Sequence, residues 1–178
     1  MLKSFFIIGF DGYGLGARPV DKAGNFMASV MFKTASYIPA NTIRFALGVG
    51  TPDDIYRCYV MGWDMFDCVI PTREGRHGRL FIKKGNFQFP ISNFQKNLKS
   101  QITNYESDFY ETININNEKF KNDFSRVDEN CDCEMCQKHS KAYMRYLFSQ
   151  KESIAMRLAS LHNLKFYADL MKDFKKYN

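Results

Sequence analysis

Apolar runs alternate with amphipathic stretches along the first part of the chain. The apolar runs Ser4–Phe10, Thr42–Gly50 and Asp64–Thr72 predict strands, and the last of them is broken by Pro71. The first run is nearly continuous, as is typical of a strand buried on both faces. Helices are predicted between the strands, over Asp21–Ile38 and Thr51–Gly62. Strands that alternate with helices across short connections indicate βαβ units, so we predict an α/β fold with a parallel sheet.

The connections after the predicted strands are rich in glycine and arginine. They read "GFDGYGLGAR", "GVGT" and "PTREGRHG". In parallel sheets the functional groups gather at the carboxyl ends of the strands, so we expect these loops to carry the chemistry. The first loop lacks the Gly-Lys-Ser/Thr ending of a P-loop, which excludes that kind of phosphate site.

The second half of the chain has a different character. "RLFIKKGNFQFPI" predicts a hairpin with its turn near Lys84-Gly85-Asn86, and residues 94–130 are polar enough to predict an excursion with little core of its own. Two amphipathic helices are predicted after it, over Glu134–Ser149 and Lys151–Tyr177. The second helix has an apolar stripe at helical spacing, which we expect to be core. The stripe consists of Leu158, Leu161, Leu164, Ala168 and Met171.

Composition narrows the class of protein. Hydrophobic residues make up 45% and charged residues 25%, which is ordinary for a globular protein. The net charge of +6 permits a polyanionic partner such as RNA but does not require one. The chain has no apolar run of about 18 residues, so no transmembrane helix and no membrane partner are predicted. Five cysteines, three of them bunched, argue against a secreted disulfide scaffold and favour a reducing cytoplasm.

The segment "CDCEMCQKHS" holds the bunched thiols Cys131, Cys133 and Cys136. Three thiolates and one imidazole form a closed tetrahedral set for structural Zn²⁺, so a fourth ligand is needed. We predict His162, on the last helix, rather than a solvent-facing or core histidine at that position. The other histidines are weaker candidates, because His139 is too close to the cluster to fold back and His77 lies in an arginine-rich loop. We therefore expect one structural zinc per chain.

Two long motifs carry a resemblance to a known family. "ALGVGTPDDIYRCYVMGWDMFDCVIPTREGRHGRLF" and "CDCEMCQKHSKAYMRYLF", with the later "RLASLHNLKFYADLM", closely resemble the bacterial-type tRNA-guanine transglycosylases, also called queuine tRNA-ribosyltransferases. The resemblance implies the C-terminal part of a (β/α)8 TIM-type barrel with a zinc-binding subdomain. It divides the chain into a partial barrel (1–82), a hairpin with an insertion (83–112) and the zinc subdomain with the C-terminal helices (113–178).

The resemblance also implies an activity and a nucleophile. Family members exchange the wobble guanine of certain tRNAs for a 7-deazaguanine base, preQ1 or queuine, in queuosine synthesis. The motif "DMFDCV-PTR" places the nucleophilic carboxylate on Asp67, which would form a covalent aspartyl-ribose intermediate. The residues alone do not separate Asp67 from Asp64, and either could be a capping or ion-pairing side chain.

Further site residues follow from the same resemblance. Arg73 and Arg76 match positions that contact the tRNA, as a planar bidentate guanidinium suits, although both could simply be solvated. Leu47 and Gly16 match positions that contact the substrate base. One departure is that the family loop "GGLAVGE" reads "GYGLGARPVD" here, and its glutamate has no clear counterpart.

Complete family members are longer than this chain, whose start resembles the region near the sixth barrel strand. Three strands cannot close an eight-stranded barrel, so we expect a complementary half-barrel chain or a homo-oligomer. Two alternatives to the enzymatic role stay open. One is a non-catalytic, zinc-stapled subunit for tRNA binding or dimerisation, and the other is a gene fragment without function.

Overall fold

The computed structural model describes residues 6–16, 19–85 and 108–176, which fall into two compact units. We call the described residues up to Cys68 the parallel-sheet unit and those from Val69 onwards the metal unit. Helices and parallel strands together confirm the predicted α/β class. In the described ranges, no helix combines the length and the apolar character needed to cross a membrane.

The parallel-sheet unit alternates strands and helices as predicted. Its elements are β1 (Gly12–Leu15), α1 (Ala28–Tyr37), β2 (Ile43–Leu47), α2 (Pro52–Val60) and β3 (Met65–Asp67). The strands run parallel in the order β1-β2-β3, and the register pairs Leu47 with Asp67. The two βαβ units read from the sequence are therefore present.

Helix α2 begins where the sequence indicates. The side chain of Thr51 accepts a hydrogen bond from the backbone N–H of Asp54 at 3.2 Å, and Pro52 occupies the first helical position. The core under this helix is tightly packed, with Tyr56 and Trp63 fully buried. The indole N–H of Trp63 donates to the carbonyl of Met31 at 3.3 Å, which ties α1 to the start of β3.

The first predicted strand is wrong over its described part. Residues 6–8 are helical and Ile7 is 87% exposed, while the remainder of the prediction, Ser4 and Phe5, lies outside the described residues. The strand lies instead in the glycine-rich stretch, as β1. A Cβ on Gly12 would lie 3.0 Å from the carbonyl oxygen of Ile43, so the missing side chain lets the two backbones approach.

The first helix begins later than predicted, at Ala28 instead of Asp21. Asp21 accepts hydrogen bonds from the backbone N–H groups of Ala23 and Asn25, at 2.9 and 2.8 Å, and so holds a turn. Such local bonding competes with helix formation. The predicted stop before Pro39 is confirmed, because α1 ends at Tyr37.

The metal unit combines helices with a two-stranded antiparallel sheet. Its elements are α3 (Ile70–Arg76), β4 (Arg79–Lys83), β5 (Tyr110–Asn114), a 3₁₀ turn (Glu118–Phe120), α4 (Glu134–Lys138), α5 (Lys141–Ser149) and α6 (Ser153–Lys176). Strands β4 and β5 pair, and an apolar cluster lies against them. Its buried members are Leu80, Ile115, Phe120, Val127, Met135, Cys136, Met144, Leu147, Ala155, Leu158 and Ala159.

The strand predicted over Asp64–Thr72 is too long, and the loop expected after it is a helix. β3 ends at Asp67 and α3 begins at Ile70, with Pro71 in its first turn. Proline is accepted there because the first helical N–H groups have no partner within the helix. Arg73 and Arg76 therefore lie on a helix rather than in a loop.

The predicted hairpin and the polar excursion also need correction. The described partner of β4 is Tyr110–Asn114, not the residues directly after Gly85, and residues 86–107 lie outside the described part of the chain. Residues 108–130 contribute core, contrary to prediction, since Phe109, Ile115 and Phe120 are buried. Ile115 and Phe120 belong to the apolar cluster of this unit, so a few widely spaced apolar residues are enough to give the segment a core.

The C-terminal helices differ from the prediction in two ways. The helix predicted over Glu134–Ser149 is interrupted, because Ser140 caps a new helix by accepting the N–H of Tyr143 at 3.2 Å. The predicted apolar stripe of α6 is confirmed at Leu158, which is buried, but it is wrong at Leu161 and Leu164, which are 41% and 45% exposed. The buried face of α6 consists of Ala155, Leu158, Ala159, His162, Asn163, Phe166, Leu170 and Phe174.

Candidate metal centre and strand-end site

The predicted metal ligands meet in the metal unit. The ligand atoms of Cys131, Cys133, Cys136 and His162 all lie within 4.8 Å of one another. His162 Nδ1 is 3.6, 3.4 and 3.4 Å from the three sulfur atoms, in chain order. Bonds of about 2.3 Å to sulfur and about 2.0 Å to nitrogen at the tetrahedral angle give a sulfur–nitrogen separation of about 3.5 Å. The cluster therefore fits one tetrahedral metal ion, and its donor set is that of structural zinc.

The cysteines are positioned by the turn that leads into α4. Cys133 is the N-cap residue of this helix and Cys136 lies within it, so their spacing puts both sulfurs on the same side. Arg126 fastens the segment from outside. Its Nε donates to the carbonyl of Cys136 at 2.7 Å and its Nη2 to that of Cys131 at 3.4 Å. Three thiolates and one Zn²⁺ would leave a net negative charge, which this cation offsets.

His162 approaches the cysteines from α6 and is held by β4. The residue is 1% exposed, and its Nε2 lies 2.9 Å from the carbonyl oxygen of Phe81. A carbonyl only accepts, so Nε2 carries the proton and donates. Nδ1 then presents its lone pair to the sulfurs. A hydrogen bond of this kind fixes the tautomer and orientation that a metal ligand needs.

The thiols perturb one another strongly. Hydrogen bonds from Cys131 and Cys136 lower the pKa of Cys133 to about 3. The sulfurs of Cys131 and Cys133, together with burial, raise the pKa of Cys136. Like charges this close cannot all be present without compensation. A divalent cation between the sulfurs supplies that compensation, which is a further reason to assign a metal to this cluster.

Asn163, the neighbour of His162, is fully buried and makes three hydrogen bonds. Its Oδ1 accepts from the N–H of Phe81 at 3.1 Å. Its Nδ2 donates to the carbonyl of Pro71 at 2.9 Å and to that of Arg79 at 3.0 Å. The amide thus joins α6 to α3 and β4.

Helices α3 and α6 touch at Gly75. A Cβ on Gly75 would lie 2.8 Å from both the Cα and the N of Ser160, so only glycine permits this approach. Ser160 Oγ adds a hydrogen bond to the carbonyl of Thr72 at 3.4 Å. The position of α3 is therefore set by backbone contact.

The parallel-sheet unit carries Asp67 at the carboxyl end of β3. Its side chain is exposed, and Oδ1 accepts a hydrogen bond from the N–H of Gly48 at 2.8 Å. Gly48 follows β2 with a positive φ of 73°, a conformation that favours glycine. Over the described residues, Oδ2 accepts no hydrogen bond, so one carboxylate oxygen is held and the other is available.

Leu47 and Gly16 lie at the same edge of this sheet. Leu47 pairs with Asp67, and Gly16 directly follows Leu15, whose partner Ala46 precedes Leu47. A Cβ on Gly16 would meet none of the described atoms within 4 Å. A Cβ on Gly14, by contrast, would lie 2.9 Å from Leu47 Cδ1, so that glycine makes room for the leucine. The three predicted strand-end residues are thus brought to one edge.

Asp64 has a different environment from Asp67. It precedes β3, and its Oδ2 accepts a hydrogen bond from the N–H of Arg44 at 2.9 Å. The N–H of Asp64 donates to the carbonyl of Arg44 at 2.9 Å. Asp64 is therefore at the opposite, amino end of the strand, where it satisfies the backbone of β2.

Arg73 and Arg76 are exposed on α3, three positions apart and so on one face. Arg73 Nε lies 3.5 Å from Glu74 Oε1, and Arg79 Nη1 lies 3.9 Å from Glu74 Oε2. Their side chains point away from the buried residues of this helix, Pro71 and Gly75. This arrangement offers two cations to a partner.

Sequence reasoning missed Asn163, Arg126 and the role of Gly75. Asn163 and Gly75 depend on main-chain partners more than 80 positions away in the sequence. Arg126 depends on the local path of the chain, which brings the carbonyls of Cys131 and Cys136 to its side chain. The signal that the sequence offered for Asn163 was its position directly after the predicted metal ligand His162, because the neighbour of a buried ligand is often buried as well.

Known proteins resemble the chain over nearly its full length. A family model described as queuine tRNA-ribosyltransferase matches residues 1–177. The queuine tRNA-ribosyltransferase of Clostridium acetobutylicum is 36% identical over 173 residues, which cover 97% of this chain and 39% of that protein. The protein of the same name from Helicobacter pylori is 38% identical, with 93% and 38% covered. That from Nitrosomonas eutropha is 35% identical, with 98% and 41% covered. The chain therefore spans about two-fifths of the length of these relatives.

Proposed function

The chain belongs to the queuine tRNA-ribosyltransferase family, and we propose that it forms the nucleophile-bearing part of a tRNA-guanine transglycosylase. The reaction would exchange the wobble guanine of a tRNA for a 7-deazaguanine base, preQ1 or queuine. Two substrates follow from this proposal, the tRNA and the free base.

The observation that carries the proposal is the geometry of Asp67. Gly48 holds one carboxylate oxygen at the end of β3 and leaves the other available. That oxygen would attack C1′ of the ribose, forming an ester-like C1′–O bond while the bond from C1′ to guanine breaks and the guanine leaves with its electron pair. A nitrogen of the incoming base would then attack C1′ with its lone pair, while the C1′–O bond breaks and releases the carboxylate. That nitrogen gives up its proton to solvent, and the departed guanine takes one up. Two displacements retain the configuration at C1′, as in retaining glycosidases.

Substrate positioning falls to the residues around this carboxylate and to α3. Leu47 offers an apolar surface for a planar base, and Gly16 leaves space at the same sheet edge. Arg73 and Arg76 would bind the tRNA backbone through charge-assisted hydrogen bonds. Holding the ribose in place supplies much of the rate in a reaction of this type, since a misplaced C1′ cannot be attacked.

The zinc would be structural, held by Cys131, Cys133, Cys136 and His162. Four protein ligands leave no open position, so the ion would staple α4 to α6 and take no part in the chemical steps. We further propose that the parallel sheet is the last part of a (β/α)8 barrel and that the metal unit is its zinc subdomain. Strands β1 and β3 are the outer strands of the sheet, so a complementary half-barrel or a second copy would pair with them.

Reconstitution tests the proposal. The chain would be mixed with the complementary part of a family member, tRNA and a base analogue that displaces guanine, and the products run on a denaturing gel. The wild type should give a covalent protein–tRNA adduct and Asp67→Asn none, although Asp67→Asn should still bind tRNA. Asp64→Asn is the matched control, since it removes the same charge from the other end of β3.

An adduct that persists in Asp67→Asn but disappears in Asp64→Asn would show that the nucleophile is Asp64. If no reconstituted wild-type complex forms an adduct, the chain would instead be a binding subunit or a fragment without activity.

A further inference from the structure

We propose that Asn163 is a positioning residue that locks the arginine-bearing helix α3 onto the metal-bearing helix α6. Its consequence for tRNA binding rests on the proposed function, whereas the lock itself concerns only the metal unit.

The side chain of Asn163 uses both its donors and its acceptor on main-chain groups. Its amide N–H groups reach the carbonyls of Pro71, in the first turn of α3, and Arg79, at the start of β4. Its oxygen receives the N–H of Phe81. Burial removes water as a substitute partner, so each lost bond would leave an unsatisfied polar group. No other side chain of this size offers one acceptor and two donors from one planar group.

The lock shares its anchor with the metal centre. Phe81 gives its carbonyl to His162 Nε2 and its N–H to Asn163 Oδ1. Two consecutive residues of α6, His162 and Asn163, therefore hydrogen-bond to the carbonyl and the N–H of Phe81. The first of these two residues, His162, is the proposed zinc ligand. If His162 moved on the metal, the adjacent Asn163 would move with it. Its hydrogen bond to the carbonyl of Pro71 in α3 would then change as well.

The contact at Gly75 makes the lock tight. The backbone of α3 lies against that of Ser160, one turn or less from Asn163, and a methyl group at Gly75 has no room. Pro71 and Gly75 occupy the buried face of α3, while Arg73 and Arg76 occupy its exposed face. The direction in which the two guanidinium groups point is therefore fixed by how α3 sits on α6.

Two variants of the zinc-loaded, full 178-residue chain test the lock from different sides. Asn163→Leu removes the three hydrogen bonds at similar side-chain volume. Gly75→Ala keeps Asn163 and its three main-chain partners in the sequence and adds a methyl group that forces α3 away from α6. Met144→Ala is the control, because Met144 is fully buried in the same core but lies on α5.

Three measurements are made on each form: zinc content, hydrogen exchange of the α3 amides, and affinity for a tRNA with guanine at the wobble position as salt is varied. Both test variants should retain about one zinc per chain and exchange the α3 amides at least about tenfold faster. They should bind tRNA about tenfold more weakly, the loss expected for one charge-assisted hydrogen bond. The slope of log affinity against log salt should also become shallower, since fewer phosphates are neutralised. Met144→Ala should leave both α3 exchange relative to the other helices and the salt slope unchanged.

The lock is refuted if α3 exchange and the salt slope match the wild type in both variants while zinc is retained. It is equally refuted if Met144→Ala changes them as much as Asn163→Leu does. If the wild type itself does not bind tRNA, the proposed function fails, and α3 exchange alone then decides the lock.

Discussion

His162 Nε2 lies 2.9 Å from the carbonyl oxygen of Phe81, a residue 81 positions earlier in the chain. One ring nitrogen of the histidine, Nε2, therefore faces strand β4, and the other, Nδ1, faces the three sulfurs. The hydrogen bond to β4 orients the ring so that Nδ1 faces the sulfurs. The remaining ligands come from one short segment, so His162 is the ligand that turns a local cysteine cluster into a tertiary crosslink.

Replacing His162 by alanine should abolish tight zinc binding by the purified chain. Three thiolates alone leave the fourth position to water, and the link to α6 is lost. Zinc content per chain by elemental analysis gives the readout. His139→Ala is the control, because His139 stacks on Tyr143 and is not among the ligands. Full zinc retention in His162→Ala would remove this residue from the ligand set.

Replacing Cys133 by alanine, or stripping the metal with a chelator, should unfold the metal unit. Structural zinc contributes on the order of 10 kcal/mol to folding, comparable with the entire stability of a typical domain. Circular dichroism during chelator titration would show a loss of helix signal. A helix content that stays constant after complete metal removal would contradict a structural role for the ion.

Arg73→Ala and Arg76→Ala should each weaken tRNA binding, and the double variant more so. Each arginine that neutralises a phosphate contributes about 0.7–0.9 to the slope of log affinity against log salt. Binding curves at several salt concentrations measure that slope. Lys172→Ala changes the net charge equally on the exposed face of α6, and it should leave the slope close to the wild-type value.

Glu74→Gln should strengthen tRNA binding by a few-fold. Glu74 lies within ion-pairing distance of Arg73 and Arg79, and it places a negative charge next to the proposed phosphate site. Exposed ion pairs contribute at most about 1 kcal/mol, which limits the gain to roughly fivefold. Glu152→Gln makes the same charge change on an exposed residue before α6 and controls for net charge. Equal gains in both variants would assign the effect to overall charge.

Asp64→Ala should lower the free energy of unfolding by about 1 kcal/mol, because the N–H of Arg44 loses its side-chain acceptor. Denaturant titration measures this difference. Adduct formation in the reconstituted complex should survive the change, since Asp64 lies at the amino end of β3. A stability identical to that of the wild type would mean that water replaces the carboxylate at no cost.

The metal ligands were accessible to sequence reasoning because their chemistry is local. Three thiols in six positions demand a cation, and the choice among three histidines is small. The βαβ pattern was equally readable, since Thr51 and Pro52 mark a helix start by chemistry that does not depend on the rest of the fold.

The buried face of α6 was not accessible in this way. Spacing favoured Leu161 and Leu164, but β4 and α3 present main-chain carbonyls and N–H groups to this helix. The buried positions therefore fall to His162 and Asn163, which can satisfy those groups, and the two leucines remain partly exposed. The spacing of apolar residues shows that a helix has two faces. Which face is buried depends on the polarity of the elements that pack against the helix.

The prediction of a loop at the glycines after residue 11 was wrong for a related reason. They were interpreted as a loop because glycine is rare in strands, yet Gly12 and Gly14 pair with β2 in a regular parallel ladder. A side chain on Gly12 would clash with Ile43, and one on Gly14 would clash with Leu47, although these partners lie about thirty positions later. A single sequence does not show that two segments so far apart pack this closely.

Asn163 also has a bearing on the history of the gene. A buried amide whose donors and acceptor are all engaged accepts almost no replacement, because aspartate, histidine and leucine each leave at least one main-chain group without a partner. In a reading frame that no longer makes a useful product, this codon would drift as freely as one for an exposed lysine. Comparing the rates of amino-acid change at position 163 and at exposed positions, among homologues of this chain from neighbouring genomes, would therefore reveal whether natural selection still maintains the fold.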